Sequence, residues 1–196
     1  MLAIFPLVVL LLALTGRARS ATDQVLDVDG NPVRAGIGYY ILPAHSSRSG
    51  GLTSLSRSGS CPFNVVQADS GLDQGTQLTF APATGKKEVR LVTDLNIEFL
   101  SVNHCGSSAV WKYAGVDEAT GQRFITLGGT AGNPGPATVS NWFKIEKEGD
   151  HYALVFCPTV CESCRVVCGN VGIYSENGSQ FLALSDPAFP VKFRKA

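Results

Sequence analysis

Short apolar runs rich in β-branched and aromatic residues recur along this chain, punctuated by Gly, Pro, Asn and Asp. They are YYIL (39–42), FNVVQA (63–68), TQLTF (76–80), VRLV (89–92), NIEFL (96–100), AVWKY (109–113), RFITL (123–127), WFKIEK (142–147), YALVF (152–156), VGIYS (171–175), QFLAL (180–184) and VKFRK (191–195). Such residues fit a pleated, half-buried surface, so each run predicts a short strand. No long window carries an apolar repeat of helical period. Asn177-Gly178 falls between two of the runs and is a strong hairpin signal.

About twelve short strands suit a closed barrel or a sandwich. A faint repeat favours the barrel. GIGYYILPA, NIEFLSV and NWFKIEKEG each lead a block of roughly 55 residues. Three such blocks of four strands would make a β-trefoil. The Gly/Pro-rich stretch 128–141 reads as a long surface loop, because neither flank is large enough for a separate core.

The first twenty residues stand apart. An almost unbroken apolar segment, 2–15, ends at Ala18-Arg19-Ser20, which has the small-residue pattern of a cleavage site. The segment is short for a membrane span. Residues 1–20 therefore read as a secretory signal peptide, although no Lys or Arg precedes the apolar run. Residues 21–196 read as one domain, large enough for a real core. Removing Arg17 and Arg19 from 16 basic side chains leaves 14 against 16 acidic ones, so nothing marks a nucleic-acid binder. The mature chain is expected to be secreted, or vacuolar by the same route, and to have no membrane association.

Secretion bears on the cysteines. Four of six lie in Cys157-Pro-Thr-Val-Cys161-Glu-Ser-Cys164-Arg-Val-Val-Cys168. An even count in an oxidising compartment reads as disulfides. A zinc quartet would need a second two-residue knuckle or a nearby His, and neither is present. Spacing alone does not choose the pairing. Asp27 to Asn31 is a turn rather than a calcium loop, since its Gly stands fourth and no Glu stands twelfth. His45, His104 and His151 are scattered, Asp73, Asp94 and Asp117 sit at turns, and no nucleophile elbow occurs. These features imply no enzyme, metal or cofactor. Asn177-Gly178-Ser179 is a glycosylation sequon on an expected exposed turn.

LDVDGNPVRAGIGYYIL, CPFNVVQ, VRLVTDLNIEF, GNPGP, NWFKIEKEGDHYALVFCPTVCESCRVVCGNVGIY and LALSD, in that order, resemble the Kunitz-type soybean trypsin inhibitor family, and within it the miraculin-like branch. The resemblance implies an all-β fold, a six-stranded barrel capped by three hairpins with pseudo-threefold symmetry. It implies the bridges Cys61–Cys105, Cys157–Cys168 and Cys161–Cys164. It implies a monomer as well, because this chain has no seventh cysteine for joining copies.

The resemblance further implies a function. Members of the family inhibit serine proteases by presenting an exposed loop in substrate-like form, held before docking so that little entropy is lost. The matching segment is Pro82, Ala83, Thr84, Gly85, Lys86, Lys87 and Glu88. Lys86 and Lys87 are the only cations at its tip and so the candidates for the acidic pocket of a trypsin-like partner. Aligning on VRLV puts Glu88 at the key position, and counting back from LNIEF puts Gly85 there. Two departures stand out. Gly85 is expected to loosen the loop. Ala35 occupies the position of a bracing Asn and offers no side-chain hydrogen bond. The competing expectation is a seed storage or albumin-type protein with weak or no inhibition.

Overall fold

The computed structural model describes residues 24–45, 49–57, 59, 61–101, 106 and 108–196. The expected signal peptide, His104 and Cys105 lie outside the described residues. Twelve strands form: β1 (Tyr39–Pro43), β2 (Leu52–Leu55), β3 (Asn64–Gln67), β4 (Leu78–Pro82), β5 (Leu95–Phe99), β6 (Lys112–Tyr113), β7 (Ile125–Thr126), β8 (Lys144–Glu148), β9 (His151–Phe156), β10 (Gly169–Glu176), β11 (Ser179–Leu184) and β12 (Val191–Lys195).

The strands form one hydrogen-bonded network of two groups, joined where β9 pairs with β10 at Phe156–Gly169 and Val155–Asn170. In the first, antiparallel pairing runs β5-β4-β1-β12-β9-β8. Leu95 at the start of β5 also exchanges two backbone hydrogen bonds of 2.9 Å with Phe143, the residue before β8. Each member thus has a hydrogen-bonded neighbour on both sides. The inward side chains explain why. Tyr39 and Ile41, Leu78 and Phe80, Leu95 and Ile97, Phe143 and Ile145, Tyr152 and Leu154, Val191 and Phe193 are all buried in one cluster. Each pair is two residues apart, so period-2 alternation aims both side chains at the same face.

In the second group β3 pairs with β2, β7 and β11, while β6 pairs with β7 and β10 with β11. These three hairpins share a smaller apolar cluster of Val66, Phe124, Phe181 and Ala183. At the β10–β11 turn Asn177 has φ 50° and Gly178 φ 85°. Two consecutive left-handed residues are what a tight hairpin turn requires.

Charge ties the hairpins together. The Arg57 guanidinium, just beyond β2, bonds Asp117 at 2.9 Å and Glu176 at 2.8 Å, and lies 4.5 Å from the centre of the Phe124 ring. The Glu176 carboxylate holds the guanidinium above its ordinary pKa, with Asp117 adding to the effect. Arg57 in turn lowers Glu176, and the Thr120 hydroxyl followed by Arg57 lowers Asp117. A carboxylate with a depressed folded-state pKa stabilises the fold fully above its unfolded value, about pH 4, and the contribution is lost as pH falls through the folded value. Glu176→Gln should therefore flatten the acid limb of a plot of melting temperature against pH below about pH 4.

Two sequence expectations are corrected. VRLV (89–92) is not a strand: Val89 is wholly buried between Val25 and Val33, and Val92 turns left-handed at φ 56° with 63% of its surface exposed. The stretch 128–141 is not all surface loop. It ends in a 3-10 helix, Pro136–Asn141, whose Thr138 and Asn141 are buried. Strands β1, β5 and β9 start at residues 39, 95 and 151, an even spacing of 56.

Candidate functional site

The segment 82–88 leaves the end of β4 and returns along the amino-terminal stretch. Pro82 closes β4 and is buried. Ala83 is half-buried, and its N–H bonds the Asp94 carbonyl at 2.8 Å. Thr84, Gly85, Lys86 and Lys87 are exposed. Glu88 is half-buried and bridges to Arg34, while its carboxylate accepts from Arg90 at 3.1 Å and Gln24 at 3.3 Å. Val89, wholly buried, plugs in behind it. The segment is thus a four-residue projection on two anchored arms.

Gly85 does more than add slack. Its N–H closes a turn onto the Pro82 carbonyl at 2.9 Å, and its φ of 67° lies in the left-handed region where a Cβ is costly. Ala35 also acts differently from expectation. Its side chain braces nothing, but its backbone N–H donates to the Lys87 carbonyl at 2.8 Å. The loop is held by the main chain at the place where a side chain was missed. The Lys86 carbonyl accepts no hydrogen bond among the described residues.

A buried ion pair underlies the loop. Asp94 was expected at a turn, yet its carboxylate is buried 3.6 Å from the equally buried Lys144 ammonium. Asp94 also accepts from the Thr159 N–H at 3.0 Å and the Thr159 hydroxyl at 2.6 Å. Lys144 donates to the Cys157 carbonyl at 2.7 Å. Through Asp94 the base of the loop is joined to the start of the cysteine-rich segment.

In that segment Cys157 pairs with Cys168 and Cys161 with Cys164, a small ring inside a larger one. Cys61 is also disulfide-bonded. No cluster of three or more metal-ligating side chains occurs among the described residues. His45 and His151, remote in sequence, meet edge-on with ring centres 4.9 Å apart. Sequence reasoning missed this contact, the Asp94–Lys144 pair and the Arg57 clamp, because each joins residues far apart along the chain.

The candidate site is thus a short, cation-tipped loop held on two fixed arms of an all-β domain. The chain belongs to the Kunitz-type trypsin and protease inhibitor family, whose profile matches residues 25–195. It is 47% identical over 192 residues to miraculin from Synsepalum dulcificum, covering 93% of this chain and 87% of that protein. It is 40% identical over 178 residues to Kunitz trypsin inhibitor 5 from Arabidopsis thaliana, covering 90% of this chain and 88% of that protein. Among solved structures, the Kunitz-type cysteine protease inhibitor PCPI-3 from potato superposes with a TM-score of 0.76 at 34% identity, over 88% of this chain and 97% of its own.

Proposed function

We propose that this chain is a secreted inhibitor of trypsin-like serine proteases that presents residues 84–87 as a substrate-like segment with Lys86 as its specificity residue. The observation that carries the reading is the Ala35–Lys87 hydrogen bond. A serine protease must receive the carbonyl of the specificity residue in its oxyanion hole, where backbone N–H groups bind it. The Lys87 carbonyl is already engaged by Ala35, whereas that of Lys86 accepts no hydrogen bond among the described residues. Lys86 then enters the acidic pocket, and the brace falls on the next residue along. Titration of trypsin with the mature protein tests this. A lasting stoichiometric complex is expected, and rapid loop cleavage without one would refute it.

The fold supports a β-trefoil: six mutually paired strands form the barrel, three hairpins cap it, and the 56-residue spacing of β1, β5 and β9 supplies the pseudo-threefold repeat. Residues 1–20 act as the signal peptide and 21–196 as one monomeric domain. The exposed Asn177 suits a glycan added during secretion. The protein works in defence, extracellularly or in the vacuole.

A further inference from the structure

We propose that residues 163–167 form a second segment read by trypsin-like proteases, with Arg165 as the cation that enters the pocket. The inference rests on the inhibitor reading above, but not on the role of Lys86.

Arg165 is exposed and forms no ion pair among the described residues. It follows Cys164, bonded to Cys161, and stands three residues before Cys168, bonded to Cys157. The tripeptide Arg165-Val166-Val167 is therefore stretched between two cysteines of separate bridges. None of its backbone N–H or C=O groups bonds the rest of the described chain. Those groups are open to pair with an enzyme cleft, as a bound peptide does along a strand edge. No residue from 157 to 168 has positive φ, unlike Gly85 in the first loop. The base is fixed by buried Cys161 and by the Asp94 and Lys144 bonds to Thr159 and Cys157. The side chain is displayed, the backbone is unpaired and the flanks are rigid, so little order is lost on docking.

The bridges add a further property. Hydrolysis of the Arg165–Val166 bond would consume one water and leave an Arg165 carboxylate and a Val166 amine. Cys157–Cys168 spans that cut, so both ends would stay on one covalent molecule. The bases of the two segments are joined through Asp94, whose carbonyl accepts from the Ala83 N–H and whose carboxylate accepts from the Thr159 hydroxyl.

The test measures binding of trypsin lacking its catalytic serine to the wild type, Lys86→Ala, Arg165→Ala and the double variant, with near-UV circular dichroism confirming the fold. Lys86→Ala is expected to keep measurable affinity, and adding Arg165→Ala should lower it by at least about tenfold, while Arg165→Lys restores it. If the double variant binds within about threefold of Lys86→Ala, the proposal is overturned and the Lys86 reading stands. A loss with Arg165→Ala but not Lys86→Ala would overturn the Lys86 reading and support this one. No binding by the folded wild type overturns both. Catalytic trypsin supplies an independent check: after reduction, Lys86→Ala should show a break between Arg165 and Val166.

Discussion

Lys86→Ala is expected to weaken trypsin binding by on the order of 100-fold or more, and Lys87→Ala by less than about tenfold. The two residues are adjacent, equally charged and both exposed. Composition predicts the same loss at either, and only the hydrogen bond from Ala35 separates them. A side chain filling a desolvated specificity pocket is the kind of anchor whose truncation costs about 2 kcal/mol or more. A neighbour whose carbonyl is tied back to the inhibitor contributes mainly peripheral charge. Inhibition constants from progress curves decide it. Equal losses at both positions, or a larger loss at Lys87, would transfer the specificity role away from Lys86.

The second large effect concerns stability. Asp94→Ala leaves the Lys144 ammonium buried without its counter-charge and removes both bonds to Thr159. Breaking one side of a buried pair typically costs about 3–5 kcal/mol, much of it the penalty on the abandoned charge. For a domain of this size each kcal/mol shifts the melting temperature by about 2–4 °C, so a fall of roughly 10 °C is expected. Replacing both members, as Asp94→Leu with Lys144→Met, should recover a large part of that loss, because no charge is then stranded. The double replacement should still be cut faster at the loop than the wild type, since Thr159 has lost its anchor. Calorimetry and limited proteolysis separate the two effects, and a single variant as stable as the wild type would show that the pair does not support the base of the loop.

Most strands were legible because alternation of large apolar residues survives in short windows: Tyr39 with Ile41, and Leu95 with Ile97, are visible without any tertiary knowledge. β2 escaped notice because LTSL sits among Ser and Gly and is only partly buried. VRLV misled for the opposite reason. Its apolar residues serve a plug and a left-handed turn, and β-propensity cannot tell a plug from a ladder. The exposed loop and its two lysines could be found through resemblance, but the choice between them could not. It depends on a backbone N–H, and any residue except proline at position 35 carries one. Asp94 looked like a turn residue because its partners, Lys144 and Thr159, are distant in the chain. The signal for Arg165 was present all along: a cation directly after a bridged cysteine, inside a cluster first weighed as a metal site or a disulfide nest.

The two-sided pairing of β1, β4, β5, β8, β9 and β12 bears on how the protein can be kept. Open ladder rows are the templates on which foreign strands add and aggregates grow. Strands paired on both sides offer such growth no place to start, which leaves β2 and β6, each paired with a single strand among the described residues, as the rows on which a foreign strand would add.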